Sequence, residues 1–123
     1  MGYDKPIRSF TDLYAWQEAH KLVLQVYKLI RNFPIEEKYG LNDQLRRASV
    51  SISSNIAEGF GRKCVPEKVR FYYIAHGSLT EVQNQLLIAR DVGYIDEVIF
   101  SEINNQLVLV QKLINGLIRS TKL

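Results

Sequence analysis

RFYYIAHGSLTEVQNQLLIAR, residues 70–90, is the stretch that decides the fold. Tyr72, Ala75, Leu79, Val82, Leu86 and Ala89 recur in it at alternating spacings of three and four. This is a seven-residue repeat, and it lines those side chains along one face of an α-helix. A strand would need alternation of period two between tight turns, and neither is present. Pro66 suits the first helical position, where its missing N–H would find no partner anyway. Gly93 suits the residue just past the end. The stretch predicts a helix from about 66 to 90.

The pattern repeats on both sides. Downstream, Asp96 is placed to cap a further helix, with Ile95 and Phe100 spaced as a hydrophobic staple. Phe100, Ile103, Leu107, Val110, Ile114 and Leu117 form its apolar stripe. It is expected to end near Arg119, where basic residues suit the helix dipole. Upstream, Leu45, Ala48, Ile52, Ile56 and Phe60 mark a helix ending near Gly61, with Asn42 as its expected cap. Ser49, Ser51, Ser53 and Ser54 lower its intrinsic preference, so packing must hold it. The first helix is expected over about 12–32, capped by Thr11 and stopped by Pro34. Leu13, Trp16, Val23, Tyr27 and Ile30 should face inward, and Glu18, Lys21, Gln25, Lys28 and Asn32 outward. The connector FPIEEKYGL (33–41) joins it to the second. Helices of roughly 18–25 residues span about 30 Å, and short links set neighbours antiparallel. The expectation is all-α: one domain over 1–123, an antiparallel up-down-up-down four-helix bundle.

Composition agrees: 123 residues, 46% hydrophobic and 24% charged, allow one packed core. No run approaches the roughly 20 apolar residues of a membrane span. The opening MGYDKPIRSF has charges but no apolar run behind them, so no signal peptide is expected. Pro6 occupies the position where a myristoylation signal at Gly2 wants Ser or Thr. The single cysteine, Cys64, can form neither an internal disulfide nor a thiolate metal site alone, so a cytoplasmic setting is the expectation.

Catalytic and metal chemistry find little footing. A di-iron bundle needs Glu three residues before His on two helices. The histidines are His20 and His76, and Gln17 and Tyr73 stand in those places. There is no G-x-S-x-G, and the GFG at 59–61 is too short for a phosphate loop. Cys64, just before a helix start, is either an activated thiol or a small residue in a turn. The chain reads as non-enzymatic, with no catalytic residue, metal or cofactor expected.

Three features remain. First, LVLV at 107–110 and FYYI at 71–74 cannot all face one core, because consecutive helical residues point about 100° apart. Either single apolar residues lie exposed, or a second face is buried in a homo-oligomer. Second, the chain's net charge is only +3, yet 46–70 carries Arg46, Arg47, Arg62, Lys63, Lys68 and Arg70 against Glu58 and Glu67. Arg46, Arg47, Arg62, Lys63 and Arg70 are candidate phosphate contacts for RNA or DNA. The alternative is a solvated face held in salt bridges. No base-reading module is visible, so binding would follow shape and charge. Third, Ser51, Asn55, Glu58 and Gly59 lie one turn apart, as do Ser78 and Glu81. They make either a polar site with Glu58 and Glu81 as paired carboxylates or a network fixing helix register. In the second case Gly59, Ala75 and Gly77 would let the backbones approach.

QLRRASVSISSNIAEGFGR, residues 44–62, resembles the most recognisable segment of the 23S rRNA-intervening-sequence proteins, also called four-helix bundle proteins. LYAWQEA (13–19) is similar to that family's first helix. Phe33-Pro34 with Glu37 and Tyr39-Gly40-Leu41 is similar to its connector, and Ile74-Ala75, Gly77-Ser78-Leu79, Glu81 and Gln85-Leu86 to its third helix. Gly93-Tyr94 matches the next turn, so the likeness covers about 10–118. Ser53 departs from it, standing where a helix-kinking proline is common, and Val82-Gln83 replaces a more usual Leu-Glu. Members are also labelled small-subunit ribosomal proteins, which is not a sign of ribosome membership. The family also resembles the accessory subunit of diversity-generating retroelements. The resemblance implies a toroidal homopentamer, and as partners nucleic acid or a nucleic-acid enzyme such as a reverse transcriptase.

Overall fold

The computed structural model describes residues 6–123. The readings on Met1 to Lys5, including that on Gly2, lie outside them. Four helices follow one another: α1 Tyr14–Ile30, α2 Leu41–Gly61, α3 Val65–Asp91 and α4 Glu97–Lys122. No strand occurs among the described residues. Each helix packs on its neighbours in sequence and α1 closes against α4, with α2 against α3 the most extensive contact. This is the four-helix bundle that the stripes predict. Among the described residues, no helix is long and apolar enough to cross a membrane.

The core is built from the predicted stripes of α2, α3 and α4. Leu45, Ile52, Ile56, Leu79, Val82, Leu86, Leu107, Val110 and Ile114 are wholly buried. At the end of α4 the buried residue is Ile118 rather than Leu117, and the helix runs on to Lys122. On α1 the inward stripe is Ala15, Ala19, Leu22, Val26 and Ile30, with Val23 beside it. Tyr27 is 40% exposed, and Trp16 is only partly buried. Leu13, Val23 and Ile30 of the predicted stripe are buried, and the small Ala15 and Ala19 hold the core side in place of Trp16 and Tyr27.

Glu18, expected to face solvent, is buried. Gln106 of α4 donates to its side chain at 3.0 Å and to its backbone carbonyl at 2.9 Å, and Lys21 donates at 3.1 Å. The Gln106 bond, above all, holds the Glu18 carboxyl below its ordinary range, with Lys21 adding to it against the pull of desolvation. A depressed folded value means this stabilisation is complete above the unfolded value of about 4.3 and drains away as pH falls through the folded one. Glu18→Gln should therefore lose less Tm than the parent between pH 6 and pH 3. Identical acid limbs would show that the carboxylate contributes nothing there.

The helix starts correct two expected caps. A short 3-10 turn, Phe10–Asp12, precedes α1, and Ser9 caps it by accepting the Thr11 N–H at 3.2 Å. Asp12 in turn accepts the Ser9 N–H at 3.1 Å, so Thr11 is not the cap. Asn42 does not cap α2, which begins after Gly40. Its side-chain amide instead donates to the Ile30 carbonyl at 3.2 Å. The first N–H of α2, on Leu41, is taken by Glu37 at 3.0 Å, and the other Glu37 oxygen accepts the Tyr94 hydroxyl at 2.7 Å. These bonds, Leu41 first, hold the Glu37 carboxyl below its usual range. Asp96 caps α4 as expected, accepting the Ile99 N–H at 2.8 Å. Gly93 ends α3 with φ +88, and the Tyr94 and Gly93 N–H groups close back on Ala89 and Arg90. That left-handed conformation is one glycine adopts at no steric cost. α2 runs unbroken through Ser53, whose hydroxyl donates to the Val50 carbonyl at 3.2 Å.

Candidate nucleic-acid interface

The bundle separates the candidate basic residues into two groups. Arg46 and Arg47 lie near the start of α2, while Arg62, Lys63 and Arg70 surround the α2–α3 turn. Sixteen helical residues separate Arg46 from Arg62, or about 24 Å along the axis. Both members of the first group bond the same carboxylate, Asp43, with Arg47 at 2.9 Å. Desolvation pushes the Asp43 carboxyl up, and the two guanidinium bonds outweigh it and leave it below its ordinary range. The Asp43 bond first, then Tyr27, pushes Arg46 up.

The second group is arranged differently. The Arg62 and Arg70 guanidinium carbons sit 4.6 and 4.9 Å from the centre of one ring, Phe71. A cation over an aromatic face is held by the ring quadrupole, and the ring fixes where the charge sits. Arg62 also donates to Glu58 at 3.2 Å. Lys63 is exposed. Lys68 plays a structural part, because its ammonium donates to the Phe60 carbonyl at 2.6 Å and satisfies the open end of α2.

Chain segments distant in sequence add charge at this end. Tyr73 and Lys122, 3.3 Å apart, bring the end of α4 beside the start of α3. Residues 6–13, 58–72 and 116–123 together hold Arg8, Arg62, Lys63, Lys68, Arg70, Arg119 and Lys122 against Asp12, Glu58 and Glu67, a surplus of four positive charges. The opposite end, 28–47 with 90–102, holds six basic and seven acidic residues. The bundle is thus polarised along its axis. Arg119 and Lys122 escape sequence reading because only the antiparallel return of α4 places them beside the start of α3, and Arg8 because only the packing of the Phe10–Asp12 turn on α2 brings it to this end.

The polar residues of α2 and α3 form a network between the helices. The Ser51 and Ser78 hydroxyls are 2.8 Å apart, and the Asn55 amide donates to the Ser51 carbonyl and hydroxyl at 2.8 and 3.0 Å. Glu58 and Glu81 are not paired: Glu58 bonds Arg62, and both carboxylates are exposed. Gly59 does permit close approach, whereas Gly77 faces open space. His20 stacks on Trp16 with ring centres 4.7 Å apart. Cys64 is free and exposed. Among the described residues no His, Cys, Asp or Glu cluster could hold a metal ion.

Comparison with known proteins agrees with the four-helix fold. The family model described as 23S rRNA-intervening sequence protein matches residues 11–116. A solved structure from Bacteroides thetaiotaomicron, described as a protein with unknown function from the S23 ribosomal protein family, superposes with a TM-score of 0.79. It is 21% identical, over 85% of this chain and 97% of that one, a likeness that speaks to the fold alone. Comparison with curated proteins gives no match.

Proposed function

The chain belongs to the 23S rRNA-intervening sequence protein family, and from that premise we propose that it is a non-enzymatic, homo-oligomeric bundle that binds structured nucleic acid through its basic end. The observation that carries this reading is the axial charge separation. A surplus of four positive charges is gathered from three segments onto one end. Arg62, Lys63, Arg70, Arg119 and Lys122 are the proposed phosphate contacts, with Phe71 seating the two guanidiniums. Arg46 and Arg47, bound to Asp43 at the far end, stand outside that interface. Recognition is by phosphate position and duplex shape, since the sequence shows no base-reading module.

Oligomerisation is supported by apolar side chains left on the outside of α3 and α4. Tyr73, Ile74, Leu87 and Ile88 on α3 and Leu109 on α4 are each 36–52% exposed. Several copies would multiply a modest basic end into a strong one. The toroidal pentamer implied by the family likeness is the assembly we adopt. A second reading, an accessory subunit that docks on a nucleic-acid enzyme such as a reverse transcriptase, draws on the other end. Ile35 and Tyr39 there are 80% and 86% exposed.

The test is binding to duplex RNA and duplex DNA between 50 and 200 mM salt. Counterion release predicts that log K falls linearly with log salt, by about 0.9 per phosphate contacted on duplex DNA. Absence of binding at 50 mM salt would reject the nucleic-acid reading and leave the docking one.

A further inference from the structure

The groove between α2 and α3 is polar, and one buried oxygen in it is unpartnered among the described residues. It is lined by Gln44, Arg47, Ser51, Ser78, Glu81 and Gln85 and encloses about 270 Å³. Gln85 is 93% buried, since 7% of it is exposed, and its side-chain oxygen has no hydrogen-bond partner among the described residues. A buried acceptor without a donor lowers stability, and its terminal amide torsion is soft enough to turn toward the groove. Glu81 on the lip makes no ion pair or hydrogen bond among the described residues, and Arg47 across from it bonds Asp43 instead. Ile74 and Ile88 stand seven residues either side of Glu81, on the same helical face, 39% and 43% exposed. Two unused acceptors between two apolar contacts fit an alkylammonium side chain, whose stem is apolar and whose head carries three donors.

The other side of the bundle offers such a group. Lys112 on α4 is exposed and makes no ion pair or hydrogen bond among the described residues, and Leu109, one turn before it, is 40% exposed. The Tyr73–Lys122 contact registers α3 against α4. Eight residues along α3 from Tyr73 reach Glu81, and ten back along α4 from Lys122 reach Lys112, about 12 and 15 Å along the axis. The two charges therefore stand at nearly one height but on different sides of the molecule. We propose that the α2–α3 groove receives Lys112 of a second copy, its ammonium on Glu81 with the Gln85 oxygen as the further acceptor and Leu109 against the flanking isoleucines. Because groove and lysine are different patches, the contact is head-to-tail, the kind that builds a ring when its rotation closes, as in the pentamer adopted above. This inference rests on the oligomer proposed above and names its interface.

The test is charge reversal with rescue, read as mass by light scattering at about 100 µM protein, with circular dichroism confirming helix content. Glu81→Lys and Lys112→Glu should each reduce the particle toward the 14.2 kDa single chain. The double variant E81K/K112E should regain the parent's mass. Single variants that keep the parent's mass, or a double that fails to recover it, overturn the interface while leaving the oligomer standing. A parent of 14.2 kDa at that concentration overturns both. A second readout is Gln85→Leu in the dissociated Glu81→Lys background. With the groove unfilled, removing the unpartnered oxygen should raise Tm by about 3–6 °C. A fall in Tm would mean the amide is satisfied within the chain and the groove needs no second copy.

Discussion

Replacing Gly59 by alanine is expected to lower Tm by about 8 °C, and replacing Gly77 by alanine to raise it by about 3 °C. Both glycines sit in long helices, where alanine is intrinsically better by about 1 kcal/mol. Their surroundings decide the sign. A Cβ on Gly59 would lie 2.6 Å from Tyr72 Cε1, 2.9 Å from Tyr72 Cδ1 and 3.1 Å from the Phe71 Cβ. Tyr72 is 2% exposed and embedded in the core, so it has nowhere to swing. Either α2 and α3 part or the ring leaves its rotamer, which typically costs 1–3 kcal/mol; with contacts this short we take about 3 kcal/mol, which less the propensity gain of about 1 leaves a loss of about 2 kcal/mol. A Cβ on Gly77 meets nothing within 4 Å. Thermal melts of the two variants check the pair. A rise in both would mean that α2 and α3 are not held at contact distance around Gly59.

The second large effect is on nucleic-acid binding. Changing Arg62, Lys63 and Arg70 together to alanine should lower duplex affinity by roughly ten- to a hundredfold at 100 mM salt and reduce the salt slope by about two to three. Arg46→Ala with Arg47→Ala should leave the slope within about half a unit of the parent, because those guanidiniums already answer Asp43 at the opposite end. The contrast separates a localised basic end from a diffuse positive surface. Equal losses from both sets would reject the localised interface.

How far the sequence could be read depended on range. The stripe of α3 was legible because Tyr72 to Ala89 alternates spacings of three and four without competitors. On α4 the alternation breaks down near the end, where Leu117 and Ile118 both satisfy the spacing and only packing chooses Ile118. On α1 the large residues Trp16 and Tyr27 drew the stripe toward themselves, while Ala15 and Ala19 hold the core side. The expected caps failed for a related reason. Thr11 and Asn42 are good capping residues, but a 3-10 turn and the Glu37 carboxylate had already supplied acceptors nearby. The clustering of charge was half legible: 62–70 reads as one basic group in the sequence, but only the fold shows that Arg46 and Arg47 lie at the other end beside Asp43 and that Arg119 and Lys122 return to the 62–70 end. Gln85 carries no sequence signal at all, since its unmet oxygen is a property of the packed groove.

The unequal charge at the two ends gives the molecule a permanent electric dipole directed along its length. In the field of a polyanion such a particle turns before it touches, and it arrives with the α2–α3 turn leading. It would then stand on the duplex rather than lie along it. At about 1.5 Å per residue the 26 residues of α4 make a body about 39 Å long. Two helices side by side are only about 20 Å across. An upright molecule would cover about six base pairs at about 3.4 Å each, roughly half of what a reclining one would occupy. Neighbours could then crowd at twice the density along the strand, with their long flanks left free to meet one another.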